Sequence, residues 1–223
     1  MKKYLLLLLP FIVILNSCQK IAGTAIMGNN TATGTTSYQP LSAGSTWTYR
    51  TDYGSTLGAD TSKITMGSKT TTINSKLYTQ AYETLTSYPG LIDTGYYYAS
   101  NHDYSTMQIV ATSSTSSSTV EFLYLKDNSA VGTTWTGTIN YPSIATFTLN
   151  GKITEKGVTK TFLGKTYTNI IHSTVVLTIT ILGVSQPNTY DFYVAQGIGI
   201  VHIDLNSPGY PTTTQDLLSY NIK

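Results

Sequence analysis

Residues 44–48 read G-S-T-W-T, and residues 132–136 read G-T-T-W-T. They hold the only two tryptophans of a 223-residue chain. In the first copy threonines alternate with large rings as far as Arg50, so Trp47 and Tyr49 share one side of a strand while the threonines and Arg50 share the other. The match continues downstream. K-I-T (63–65), K-L-Y-T (76–79) and Y-Y-Y-A (96–99) recur in order as K-I-T (152–154), K-T-Y-T (165–168) and F-Y-V-A (192–195). The first three pairs lie 88, 89 and 89 residues apart, and the last drifts by several residues, as a loop insertion in the second copy would cause. Four matches in one order predict a duplicated antiparallel meander of about five strands, over about 44–110 and 132–205. Side by side, the copies give one all-β domain, a curved sheet or open barrel of about ten strands. Coiling or closure removes the exposed edges that a lone meander would present.

Composition agrees. Charged residues are 11% of the chain, against about 25% in ordinary soluble proteins. Thr, Ser and Gly take their place, and there are 18 Tyr against 5 Phe. Thr and Tyr are strand formers with polar tips, and no long helical period interrupts the short alternating runs. Over 170–181, Ile171, Ser173, Val175, Leu177, Ile179 and Ile181 form the predicted core face. His172, Thr174, Val176, Thr178 and Thr180 form the wet one. The polar stretch 111–119 reads as a hairpin loop, and Tyr141-Pro142 and Tyr210-Pro211 as strand ends.

The N-terminus carries a different signal. Lys2 and Lys3 precede an apolar run from Tyr4 to Leu15, shorter than the roughly 20 residues that span a bilayer. This is the pattern of a secretory signal peptide, here 1–17. Leu15-Asn16-Ser17-Cys18 resembles the lipobox of bacterial lipoproteins, with Asn16 as its one departure. The resemblance implies cleavage after Ser17, lipidation of Cys18 and membrane attachment through that lipid. Gln19 rather than Asp after the cysteine favours the outer membrane, and the absence of acidic residues in Q-K-I-A-G favours its periplasmic side over the cell surface. Residues 18–37 read as the lipidated cysteine and a flexible tether of roughly 25 Å, followed by the domain at 38–223. Cys18 is the sole cysteine, so stability must come from the core and not from disulfides within the chain. Loss of Lys2 and Lys3 leaves eleven basic against eleven acidic side chains, which gives no electrostatic case for nucleic acid as a partner.

The segments Y-Q-P-L-S-A-G-S-T-W-T-Y (38–49) and Y-V-A-Q-G-I-G-I-V-H-I-D (193–204) resemble the opening and closing motifs of a broad group of Bacteroidota lipoproteins. The resemblance spans most of the domain and implies an all-β lipoprotein with no assigned activity. Gly197 and Gly199 read as the glycines of a tight reversal or bulge. G-I-G-I-V-H lacks the third glycine and the helix of a dinucleotide site.

Catalytic candidates are few. His102, His172 and His202 form no zinc-ligand pattern, and no cofactor is implied. His202 and Asp204 share a strand face, but no G-x-S-x-G elbow supplies a nucleophile, so a bound or solvated pair is the simpler reading. His172 is expected to be solvated, and His102 to sit in a turn with Asn101. Glu83, Glu121 and Glu155 are the only glutamates, and nothing pairs them across a cleft. The reading is therefore a non-enzymatic envelope protein with a binding or structural role. Trp47, Tyr49 and Trp135 are the candidate ligand residues. Three occupants follow from that reading: an apolar ligand or lipid inside a barrel, a sugar stacked on exposed rings, or another envelope protein.

Overall fold

The computed structural model describes residues 36–55, 57–111, 117–141 and 145–223. The segments read as signal peptide, lipidated cysteine and most of the tether lie outside them. The described residues contain twelve strands and no helix. The first six are β1 (Thr46–Asp52), β2 (Ala59–Ile73), β3 (Lys76–Leu85), β4 (Ile92–Ser100), β5 (Asp103–Ala111) and β6 (Ser117–Lys126). The second six are β7 (Thr134–Tyr141), β8 (Ala145–Phe162), β9 (Lys165–Ile181), β10 (Val184–Ala195), β11 (Gly199–Asn206) and β12 (Thr213–Asn221). One sheet holds them all in the order β6-β5-β4-β3-β2-β1-β12-β11-β10-β9-β8-β7. Each half is a plain antiparallel meander, and the first strand of one pairs with the last strand of the other.

The sheet curls into a nearly closed barrel whose edges are β6 and β7. Side chains cross the seam between them. The Trp135 indole N–H donates to the Leu123 carbonyl at 3.1 Å, and the Ser173 hydroxyl donates to the Tyr124 carbonyl at 2.5 Å. Carbonyls of an exposed edge are thereby bonded without a thirteenth strand.

The sheet has two strands more than the ten expected, because β6 and β12 extend each half beyond residues 110 and 205. The two tryptophan strands begin in the same geometry. Gly44 N–H donates to the Met66 carbonyl and Gly132 N–H to the Ile153 carbonyl, both at 2.8 Å. The K-L-Y-T and K-T-Y-T segments also coincide, each starting directly after a two-residue hairpin turn, at Ile73↔Lys76 and Phe162↔Lys165. The K-I-T match does not coincide. Thr65 stands opposite Thr46, whereas Lys152 stands opposite Thr134. The bulges in β2 and β8 absorb the difference.

Alternation governs the faces. Trp47, Tyr49 and Thr51 of β1 are buried while their neighbours are half-buried. Ile171, Ser173, Val175, Leu177 and Ile179 of β9 point into the core. Ile181, expected among them, is 42% exposed, because β9 and β10 outrun the barrel and end in the turn Leu182-Gly183. On β11 a bulge at Val201 shifts the phase, so Ile200 and Ile203 both reach the interior and His202 and Asp204 lie outside. The far ends of the β2–β3 and β8–β9 hairpins reach over the outer wall. Tyr78 packs there with Tyr98 and Met107, and Lys76 pairs with Glu121. In the second half, Tyr167 donates to the Leu217 carbonyl at 3.4 Å and Phe162 stacks on His202 at 4.2 Å.

Of the predicted loop at 111–119, Ala111 and 117–119 belong to strands and 112–116 lie outside the described residues. Tyr210-Pro211 lies in the β11–β12 connection; Tyr141 ends β7, and Pro142 is not described.

Candidate functional site

The two terminal motifs of the domain meet to close one end of the barrel. Gly197 N–H donates to the Ser37 carbonyl at 2.7 Å, and the Gln196 amide donates to the Thr36 carbonyl at 3.1 Å, so contacts to the barrel begin within the predicted tether. Tyr38, Gln39 and Leu41 are buried behind them. The Trp47 indole N–H donates to the Ile198 carbonyl at 2.6 Å, and the Tyr49 hydroxyl to the Ile200 carbonyl at 2.9 Å. Gly199, at φ +111°, faces both Gln39 and the Trp47 indole; a Cβ there would lie 3.3 Å and 3.4 Å from them.

Above this floor lies an interior cavity of about 150 Å³. Gln39, Trp47 and Tyr124 line its closed end, and the Tyr124 hydroxyl donates to Gln39 Oε1 at 3.3 Å. Tyr49, Phe122, Tyr190, Phe192, Ile200 and Ile203 form much of its wall. Its other end is lined by Glu83, Asp93, Thr51, Thr213 and Gln215, and Asp93 is exposed. The lining contains no Lys, Arg or His. The cavity is therefore aromatic at its base and acidic at its mouth.

Glu83 and Asp93 are directly opposite each other on β3 and β4. Inward alternation carries both to the interior, through Ala81 and Glu83 on one strand and Asp93, Gly95 and Tyr97 on the other. Like charges facing across a ladder are destabilising. Glu83 Oε1 and Ser62 Oγ are buried near each other, and neither makes a well-formed hydrogen bond in the protein, so the Ser62 hydroxyl is at most a loose donor to the carboxylate. Burial foremost, and the Asp93 charge with it, hold the Glu83 carboxyl above the usual carboxylate range; the nearby Ser62 hydroxyl acts the other way. The other two glutamates have partners: Glu121 binds Lys76 and Ser105, and Glu155 binds Lys160 and His172.

The histidines lie elsewhere. Glu155, His172, Tyr193, His202 and Asp216 form one cross-strand row over β8 to β12 on the outer wall. His172 is not solvated as expected. Its ring nitrogens meet Glu155 at 3.2 Å and Asp191 at 3.0 Å, and its ring stacks on Tyr193. His202 meets Asp216 at 2.7 Å and Asp204 at 3.1 Å beneath Phe162. Each imidazole thus has both nitrogens on carboxylates, which leaves neither nitrogen free to serve an incoming nucleophile. His102 occupies the turn with Asn101, both at positive φ, and binds Asp127 at 2.6 Å. No group of three or more His, Cys, Asp and Glu side chains among the described residues is arranged to hold a metal ion.

Of the three candidate ligand residues, Trp47 and Tyr49 line the cavity. Trp135 stands at the seam with its indole over Gly151, outside the cavity lining. Both tryptophans are buried, at 2% and 7% exposure, so neither offers a ring face to solvent. The reading of the sequence missed Glu83 and Asp93 as a pair. The signal available was a charged residue in phase with small apolar ones, Ala81 with Glu83 and Asp93 with Gly95.

No family model matches the sequence, and no curated protein matches it significantly. Among solved structures, a protein provisionally described as a lipoprotein of Parabacteroides distasonis is similar, with a TM-score of 0.53 and 9% identity. The match covers 83% of this chain and 99% of that one. A provisionally described exported protein of Bacteroides fragilis, with a YmcC-like fold, is similar at a TM-score of 0.55, 9% identity and the same coverage. At such identity the likeness is one of fold.

Proposed function

We propose that this chain is a lipid-anchored protein of the cell envelope that binds a small, largely apolar ligand inside its barrel, without covalent chemistry. The lipobox-like Leu15–Cys18 segment supports the anchor, and the lipoprotein and exported descriptions of the two structural neighbours support an envelope location. Gln19 favours the outer membrane, and the lack of acidic residues in Q-K-I-A-G favours its periplasmic side.

The cavity carries the ligand reading. Native cores are packed almost without voids, and a cavity of about 150 Å³ with apolar walls takes up benzene or xenon. Its size fits a single ring with small substituents. A lipid carrier would need several hundred cubic ångströms, and a sugar platform would need exposed rings, so both fit the molecule less well than a small ligand.

Tryptophan emission tests this reading, because Trp47 lines the cavity and Trp135 does not. In the full-length chain carrying Trp135→Phe, titration with toluene, benzyl alcohol and benzylamine is expected to give a saturable change in Trp47 emission with at least one of them. An emission that none of the three alters overturns the reading. The anchor is tested separately by incorporation of labelled fatty acid, which Cys18→Ser should abolish.

A further inference from the structure

We propose that the ligand carries a protonated amine, held at Glu83 and Asp93 while its apolar body lies among the rings below. The inference rests on the ligand-binding reading above and names the ligand's class.

Four observations lead to it. Two carboxyl groups face each other across β3 and β4 at the mouth of the cavity. No basic side chain lines the cavity to balance them. Glu83 Oε1 is buried beside the Ser62 hydroxyl without a well-formed hydrogen bond to it, although buried polar atoms are nearly always well bonded. The walls are largely aromatic, and aromatic faces attract a cation that has left water. An ammonium group answers all four. It donates to the poorly bonded Glu83 oxygen, relieves the repulsion between the carboxyls and lies over rings that favour positive charge. A carboxylate or phosphate ligand would add a third negative charge to the mouth.

The groups that face Glu83 are Asp93 and Tyr97 from β4, Tyr49 from β1, Tyr53 just beyond β1, and Ser62 from β2. None is a cation. Without ligand, burial favours the protonated Glu83 carboxyl. When the ammonium arrives, Glu83 releases its proton to solvent and stays as a carboxylate bonded to the ammonium N–H, so one proton leaves for each amine bound by the protonated form.

The test compares benzylamine with benzyl alcohol, its neutral counterpart of similar size, by calorimetric titration of the full-length chain near pH 6. Benzylamine is expected to bind at least about tenfold more tightly, the factor that corresponds to about 1.4 kcal/mol. Repeated at a pH low enough for the free chain to hold Glu83 protonated, the titration should also release protons, seen as a dependence of the measured heat on the buffer's ionisation enthalpy. Glu83→Gln, which keeps the shape of the side chain, should bring the two affinities together, and Asp93→Asn should reduce the preference less. Equal affinities in the wild type overturn the amine and leave the ligand-binding reading in place. Tighter binding of the alcohol does the same and makes Glu83 the donor to a neutral ligand. Binding of neither compound overturns both. If the preference survives Glu83→Gln in a chain that melts normally, the amine is not held at Glu83 and the proposal fails.

Discussion

The indole N–H of Trp47 donates a 2.6 Å hydrogen bond to the backbone carbonyl of Ile198, 151 residues further along the chain. Ile198 immediately precedes β11, two strands from β1 in the sheet, so the bond ties the opening strand to the reversal before β11 at the base of the cavity. Tyr49 repeats the bond one turn of the alternation higher, to Ile200. The motifs that open and close the domain are thus one structural unit, and its job is to seal the barrel end where Thr36 and Ser37 meet Gln196 and Gly197.

Trp47→Phe keeps an aromatic ring but leaves the Ile198 carbonyl without its donor and a void beside Gln39. Loss of a buried hydrogen bond costs about 1–3 kcal/mol, and the missing ring atoms add to it. A destabilisation of roughly 2–4 kcal/mol is expected in urea unfolding. Tyr49→Phe removes only a hydroxyl and should cost about 1 kcal/mol. Equal, small effects from both would mean that water replaces the indole and that the seal is not a source of stability.

Gly151 tests the second tryptophan. It stands opposite Trp135 on β8, and a Cβ at this position would fall 2.0 Å from the indole. Gly151→Ala should therefore displace the ring, break its bond to Leu123 and destabilise the seam by about 1–3 kcal/mol, the usual cost of overpacking. Gly137→Ala, on the neighbouring strand, would meet nothing closer than Leu149 Cβ at 3.9 Å and should change stability by under about 1 kcal/mol. Thermal melts of the two variants side by side check the contrast.

Much of this architecture is legible in the sequence because a strand writes its faces with period two. The Trp47–Tyr49 alternation and the run from Ile171 to Ile179 both place their buried side correctly. What the sequence conceals is set by bulges and by curling. Val201 is one inserted residue, yet it decides that Ile203 lines the cavity and His202 does not. His172 reads as solvated because it alternates with a core residue, but the extended β8–β9 hairpin and the carboxylates of Glu155 and Asp191 enclose it. Glu83 could not be placed because alternation says only that it shares a face with Ala81, and not that Asp93 stands opposite on the next strand.

The outer wall gives stability a dependence on pH. Burial alone would lower the His202 pKa, but the hydrogen bonds and charges of Asp204 and Asp216 outweigh it and hold the imidazolium above its ordinary range. A group raised in the native state stabilises fully below its unfolded value, about 6.5 for histidine, and loses that contribution as pH rises through the native value. Asp191 works in the opposite direction. Its bond to His172 is the main cause of a lowered pKa, with Thr174 assisting and burial opposing, so its contribution is lost as pH falls below about 4. Melting temperature should therefore fall on both sides of a weakly acidic optimum. His202→Gln should flatten the alkaline fall and leave the acid one. An unchanged alkaline slope in that variant would show that another group titrates there.

The Glu83–Asp93 pair should cost the empty protein stability, and this can be measured without any ligand. The native state raises the Glu83 pKa, so by linkage its carboxyl is accommodated below the unfolded value, about 4.3, and becomes progressively unfavourable as pH rises. Glu83→Gln replaces the carboxyl with a neutral amide of the same shape and removes the repulsion across the β3–β4 ladder. At pH 8 the variant should be more stable than the wild type by roughly 0.5–2 kcal/mol, the range in which relief of a functional compromise commonly falls. At pH 4, where Glu83 is protonated in the native chain, the gain should shrink towards zero. Urea unfolding at the two pH values measures both numbers. A variant that is less stable at pH 8 would mean that the carboxylate is bonded within the barrel, and the reason to assign it to a ligand would disappear. A variant that gains stability at pH 8 and loses amine binding would show that the charge is kept at the mouth for what enters it.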